Sequence, residues 1–347
     1  MIINVSNCKP RSPSMSLSNR IGPLTMRAIR VATFGGPEVL QVKTDVTIPQ
    51  PADNEVLVNI KAAGVNPVET YIRAGVYKRL PPLPFTPGSD GAGVVDKVGS
   101  KVKRFKPGDR VFLCQTVSGS YAEYGTVNEC YTHPLTAALD FKQGAALGVP
   151  YFTAYRALCI KAKIQSGQSL LIHGASGSVG IACIQLARSR GLTVYGTAGS
   201  QDGLDLIKKL GVHHAFNHRE EGYEKRIMET SKDKGVDCIV EMLSNVNLQK
   251  DLDMVSVNGT IVVIGSRGNV EISPRSIMAK EANILGVMLW NSSEEEMQET
   301  VREVVKGTES GELVPVIGKE YTLEEASQAH FDIVNTKSST GRLVLIP

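Results

Sequence analysis

The octapeptide HGASGSVG, residues 173–180, limits what this chain can fold into more than any other stretch. An apolar run, SLLI, leads into it, and SVGIACIQLARSRG follows with apolar residues at helical spacing. A strand that turns into a helix through small residues leaves the first helical amides facing outward, where an anion is favoured. Ala175, Gly177 and Gly180 stand where a G-x-G-x-x-G fingerprint sets its three small residues, with alanine at the first. The needs there are a tight turn, close approach of backbone to a pyrophosphate, and close helix-to-strand packing.

A glycine motif gains meaning from its surroundings. From Ser169 onward strand-like and helix-like runs alternate: SLLIHGA, SVGIACIQLARSRG, LTVYGTA, DGLDLIKKLG, HHAFN, YEKRIMETSKDKG, VDCIVEML, NLQKDLDMVSVNG, TIVVIGS, NILGVML. The helical runs stop at Gly191, Gly211, Gly235 and Gly259, where a left-handed C-terminal cap suits glycine. This predicts an α/β domain with a doubly wound parallel sheet over residues 153–290. Upstream, RAIRVATFGG, EVLVNIKAAGV and GAGVVDKVGS are short β-rich runs divided by Gly and Pro, and predict a β-barrel-like domain over residues 26–152. After Trp290 a Glu-rich helix, a turn at Pro315 and the strand RLVLIP make residues 291–347 a return to that first domain.

Residues 1–25 carry three basic side chains, no acidic ones, five serines and three prolines, and read as a disordered tail or alternative start. A mitochondrial transit peptide is the competing reading, but Pro10, Pro13 and Pro23 leave little room for an amphipathic helix. The formal charge of +3 gives no footprint for nucleic acid or a membrane. Cys8, Cys114, Cys130, Cys159, Cys183 and Cys238 form no CxxC pair, which suits reduced thiols in a cytoplasmic enzyme. The uncharged stretch Ser169–Ala187 imitates a membrane span, yet a strand, turn and helix account for it.

The second strand of the fingerprint unit ends in VYGTAGS, so Ala198, Gly199 and Ser200 stand where an NAD site carries Asp or Glu. Without that carboxylate a 2′-phosphate is not repelled, which predicts NADPH. His218, in FNHRE, could donate to the phosphate, or be an ordinary surface histidine at a strand end.

The motifs GVNPVETYIRAG, PFTPGSDGAGVV, GDRV, QGAALGVPYFTAYRAL, HGASGSVG, FNHRE and IGSRG together resemble the medium-chain dehydrogenase/reductases, and within them the zeta-crystallin-like NADPH:quinone oxidoreductases, over Met26–Pro347. The resemblance implies a GroES-like catalytic domain joined to a Rossmann domain. It sets Tyr71 by the nicotinamide, Ser176, Gly177, Ser178 and Val179 at the pyrophosphate, and Gly199 and His218 at the adenosine phosphate. It assigns Asn247 to the cofactor cleft, and Ile264, Gly265, Ser266, Arg267, Val287, Met288 and Leu289 to the nicotinamide side. A homotetramer, binding to AU-rich RNA and a lens crystallin role are also implied, although no RNA-binding motif is present.

Zinc enzymes of that superfamily carry metal ligands where this chain has Asn66, Ser89 with Asp90, and Val149, and only Cys114 and Cys130 fall in the region of the structural-zinc lobe. Tetrahedral zinc needs thiolate or imidazole donors, so no metal is expected. Without a Lewis acid the acceptor must be electrophilic already, as a quinone or conjugated enone is. Ortho-quinones are the expected best acceptors, and enone or enoyl-thioester reduction is the alternative. Asn66 is a further candidate for orienting the acceptor oxygen. No general acid is evident, and the sequence leaves single-electron and hydride transfer both open.

Overall fold

The computed structural model describes residues 24–336 and 340–347. The expectations for the N-terminal tail fall almost wholly outside these residues, as does Cys8.

The N-terminal part opens with the antiparallel pair β1 (Thr25–Arg30) and β2 (Gln41–Thr47). It continues through β3 (Glu55–Gly64), helix α1 (Pro67–Arg73), β4 (Asp90–Val98), β5 (Arg110–Leu113), β6 (Tyr124–Asn128) and β7 (Thr132–Pro134). Two helices, α2 (Phe141–Gly144) and α3 (Gly148–Tyr155), lead out of it, and α3 runs on as a π-helical turn over Arg156–Lys161. The nucleotide part holds β8 (Ser169–Ile172), α4 (Ser178–Ser189), β9 (Thr193–Ala198), α5 (Gln201–Lys209), β10 (His214–Asn217), α6 (Tyr223–Thr230), β11 (Val236–Glu241), α7 (Ser244–Met254), β12 (Val255–Val263), α8 (Pro274–Lys280) and β13 (Asn283–Gly286). The chain then returns through α9 (Glu294–Ser310), β14 (Ile317–Thr322), α10 (Ala326–Asn335) and β15 (Arg342–Ile346).

Six parallel strands lie in the order β10-β9-β8-β11-β12-β13, the doubly wound arrangement the alternation predicts. Their neighbours reverse direction of winding beside β8, and that switch point sets the cleft above the C-terminal ends of β8 and β11. Helix α4 is apolar on nearly every side, because it packs on α3 as well as on the sheet and buries Ile181, Cys183, Ile184 and Leu186. Each such aliphatic side chain stabilises the fold by about 2 kcal/mol when fully buried.

The second sheet has seven strands, and β15 lies between β14 and β3. Strand β3 therefore pairs with β4 and β15, and also with β6. One apolar core fills this sheet, with Val58, Val111, Tyr121 and Leu345 inside; another joins α3, α4 and β8 across the two parts.

Three of the four expected glycine caps have the left-handed backbone: Gly191, Gly211 and Gly235, at φ of 73°, 86° and 79°. Gly259 does not. Helix α7 passes at Met254 straight into β12, Asn258 takes the left-handed turn at φ 62°, and Gly259 lies within the strand. A Cβ there would stand 2.5 Å from Val255 Cγ2, so close packing accounts for this glycine. The strand expected through NILGVML also ends early, at Gly286, and Leu289–Asn291 forms a short 3₁₀ turn.

Candidate functional site

The turn after β8 is built almost wholly from backbone. Gly174, at φ 58°, carries the left-handed residue, so Ala175 at the next position needs no special conformation. Ala175 N donates to Thr197 O at 2.8 Å and Gly177 N to Gly174 O at 3.0 Å. The alanine methyl also fills the space beside Gly196, where an added Cβ would lie 3.1 Å from it. Gly180 allows α4 to press on the turn, for a Cβ would fall 2.6 Å from both Ala175 Cα and Gly174 O. Gly177 caps α4 without a side chain, which leaves the first amides of the helix, at Ser178 and Val179, for a ligand. Ser176 is buried in this turn and its carbonyl accepts from Gly341 N at 2.8 Å.

Beneath the turn lies a buried charged group. His173 Nε2 stands 2.8 Å from Asp251 Oδ1 and 3.7 Å from Glu241. Burial opposes protonation of His173, but the hydrogen bond and charge of Asp251 outweigh it and hold the imidazole above its usual range. Burial pushes the Glu241 carboxyl up to about 7. Asn247, expected in the cleft, donates to Glu241 Oε1 at 3.3 Å and so joins this group.

At the end of β9, Gly199 is crowded by an imidazole and a guanidinium: a Cβ would meet His218 Nε2 at 2.7 Å and Arg219 Nε at 3.0 Å. Arg219 was missed by the sequence reasoning, although an arginine directly after the candidate histidine was the available signal. Partial loss of solvent, with the charges of His173 and Arg219, pushes the His218 imidazole below its usual range.

On the other side of the cleft a cavity of about 380 Å³ is lined by Ile264, Gly265, Ser266, Val287 and Met288, together with Arg156 and Lys161. The sequence reading named the first five and not the two cations, which come from the π-helical turn. Arg267 and Leu289 do not line it. Arg267 Nη1 donates to Val334 O at the end of α10, and Leu289 is packed in the core. From the opposite wall Tyr77 Oη reaches Met288 Sδ at 3.6 Å, while Tyr71 lies half-buried on α1.

The third component surrounds the start of α1. Asn66 caps that helix, with Glu69 completing a reciprocal capping box. Glu69 accepts from Asn66 N at 2.8 Å, Asn66 Nδ2 at 3.2 Å, Ser89 N at 2.8 Å and Tyr121 Oη at 2.7 Å. Arg73 Nη1 lies 3.3 Å from His330 Nδ1, so that nitrogen is the acceptor and Nε2 carries the hydrogen, 3.1 Å from Tyr121 Oη. Burial drives His330 down to about 3, in keeping with this neutral tautomer. Asp90 accepts from Val149 N at 2.9 Å, from Asn66 Nδ2 at 3.0 Å and from Arg342 Nη2 at 2.6 Å. Burial raises its carboxyl to about 6 while Arg342, Val149 and Asn66 oppose the rise, so it is ionised at neutral pH.

This corrects the expectation for Asn66. Both Nδ2 hydrogens are donated within the protein, to Glu69 and Asp90, and none is left for an acceptor oxygen. Its Oδ1 accepts from Arg342 Nη1 at 2.8 Å.

The segments of Asn66, Asp90 and Val149 do converge, as metal ligands there would. Yet the donor set does not fit zinc: the positions hold an amide, a serine, one carboxylate and a valine, and the amide and carboxylate are already taken by the Arg342 guanidinium. Among the described residues the one group with metal-ligand composition is His173, Glu241 and Asp251, beneath the dinucleotide turn.

Residues 52–145 match the alcohol dehydrogenase GroES-like domain and residues 178–306 match the zinc-binding dehydrogenase family. That pair is the architecture of the medium-chain dehydrogenase/reductases. The chain is 52% identical to the quinone oxidoreductase of Rattus norvegicus over 325 residues, covering 94% of this chain and 99% of that one. The human quinone oxidoreductase is 50% identical over the same shares. A solved structure of the Escherichia coli quinone oxidoreductase in complex with NADPH superposes with a TM-score of 0.84 at 31% identity, over 92% of this chain and 100% of that one. The chain belongs to the quinone oxidoreductases of the medium-chain dehydrogenase/reductase superfamily.

Proposed function

We propose that the chain reduces quinones with NADPH and without a catalytic metal, ortho-quinones best, in the manner of a detoxifying reductase. The observation that carries this reading is the Arg342 guanidinium, hydrogen-bonded to Asn66 and Asp90 where metal ligands would converge, in a chain that also holds an open dinucleotide turn. A site with no Lewis acid suits an acceptor whose product oxygen is weakly basic, because charge spreads into its ring.

NADPH bound in this cleft would supply the reducing equivalents, as hydride or as single electrons. The amides of Ser178 and Val179, with Ser176 and Gly177, bind the pyrophosphate at the N-terminus of α4. Gly180 keeps that turn closed, and Gly199 leaves room for the 2′-phosphate beside His218 and Arg219. Asn247 fixes the floor of the cleft through Glu241. Ile264, Gly265, Ser266, Val287 and Met288 wall the nicotinamide end, and Tyr71 on α1 serves that end by resemblance to the family. Their contribution is proximity, and solvent supplies the proton that the product oxygen takes up. The working division of the chain is 26–152, 153–290 and 291–347.

Strand β13 is the outer strand of its sheet, with Ile284 exposed, and suits pairing with a second copy on the way to a homotetramer, which light scattering measures. AU-rich RNA, if bound, competes with NADPH for the same cleft.

The decisive assay compares NADPH and NADH oxidation with an ortho-quinone, a para-quinone, a simple enone and a crotonyl thioester, alongside metal analysis of the purified protein. Turnover fastest with NADPH and an ortho-quinone is expected. A faster enone or thioester would move the chain to another reductase class, and loss of activity on chelation would overturn the metal-free reading.

A further inference from the structure

We propose that Arg342 is a positioning residue for quinone reduction: one guanidinium, set where zinc relatives hold their metal, fixes the start of α1 while its chain neighbour is tied to the dinucleotide turn. The inference rests on the quinone-reductase reading above.

Three observations carry it. Arg342 is 2% exposed, and its two terminal nitrogens go to different acceptors, Asn66 Oδ1 at 2.8 Å and Asp90 Oδ2 at 2.6 Å. A planar fork can serve both at once, whereas an ammonium is a single point charge. Next, the backbone is shaped to admit it. A Cβ on Gly64, at the end of β3, would lie 2.4 Å from Arg342 Nη2 and 2.3 Å from Ala145 O. Finally, Gly341 N donates to Ser176 O at 2.8 Å, Gly341 forms a parallel bridge with Gly177, and Arg342 N donates to Val316 O at 2.9 Å.

Consecutive residues thus hold the two halves of the site. Gly341 grips the turn that takes the pyrophosphate, and Arg342 grips the cap of the helix that carries Tyr71. A metal would fix its ligands and also polarise the acceptor; the guanidinium keeps the first task only. With Asn66 Oδ1 released, the capping residue of α1 loses its charged donor, and the wall facing the nicotinamide loses its register with the turn.

The test separates positioning from stability. R342M leaves Asp90 buried and uncompensated, so its melting temperature falls; R342M/D90N removes both charges and regains most of it. Under positioning, kcat with an ortho-quinone stays down by at least about tenfold in the double variant, while the NADPH Kd, read by fluorescence, moves less than about threefold. R342K falls between wild type and R342M. Hydrogen exchange at the backbone amides of Thr70–Gly75 speeds by about tenfold or more in the double variant, and that of α4 is unchanged. A double variant with wild-type kcat, or with undisturbed exchange in α1, overturns the proposal. Should the wild type bind NADPH but reduce no quinone, the functional reading falls, and the exchange data alone decide whether Arg342 positions α1.

Discussion

The dinucleotide turn and the cluster around α1 solve opposite problems with opposite materials. The turn is made of amides, carbonyls and missing side chains, and it offers open donors to an anion. The cluster is made of buried charged side chains whose donors and acceptors are nearly all matched internally. What the contrast teaches is how each part fails. A backbone site fails when a side chain is added, and a side-chain network fails when one is removed.

Adding bulk is the harsher of the two. In Gly180→Val the new Cβ would sit 2.6 Å from the turn's own backbone, so NADPH affinity falls by at least about 100-fold, roughly 2.7 kcal/mol, as fluorescence titration measures. A variant that still bound NADPH normally would mean the turn is not the cradle. Removal comes next. Glu69→Ala leaves Tyr121 Oη, Ser89 N and the Asn66 amides without their acceptor and costs about 3 kcal/mol in urea unfolding. A loss under about 1 kcal/mol would show that the network is solvated rather than closed.

At the rim of the turn the contrast sharpens. The double variant His218→Ala with Arg219→Ala weakens NADPH by about 10- to 30-fold, near 1.4 to 2 kcal/mol, and leaves NADH nearly unchanged. Because free His218 sits below its usual range and a phosphate would raise it, wild-type NADPH affinity improves as pH falls from 8 to 6. Steady-state kinetics across that interval give the same slope for NADH and NADPH if this histidine is elsewhere.

The smallest effect concerns a histidine in neither region. His133 packs between Phe112 and Phe152 with no hydrogen-bond partner, and burial drives it to about 3. Its folded pKa is depressed, so the unfolded chain binds the proton first and stability is lost as pH drops below the ordinary value near 6.5. Each such histidine contributes a slope of up to about 1.4 kcal/mol per pH unit. His133→Phe flattens that acid dependence in urea titrations at pH 7, 6 and 5, and an unchanged slope would assign it to His330 alone.

The two regions also differ in how well a sequence announces them. Ala175, Gly177 and Gly180 are neighbours in the chain, and the requirement for small side chains is written in their identity. The parallel, doubly wound class of the sheet likewise follows from the alternation of strand-like and helix-like runs. The cluster is different, since Asn66 and Arg342 are 276 residues apart and nothing near either one names its partner. The sequence could show that metal ligands were replaced, but not that a cation from β15 fills their place. For the same reason Asn66 looked free to serve an acceptor. Gly259 looked like a helix cap because glycine serves both left-handed turns and crowded strands, and only packing tells them apart.

The position of β15 has a consequence for how the chain is assembled. Strand β15 joins β14 to the C-terminal end of β3, at Ala63 and Gly64, so the sheet that begins at β3 closes only when residues 342–346 have been made. Strands β8 to β13 are contiguous and need no such delay. During translation the nucleotide half can therefore consolidate while Ala63 and Gly64, beside the cap of α1, still lack their partner strand.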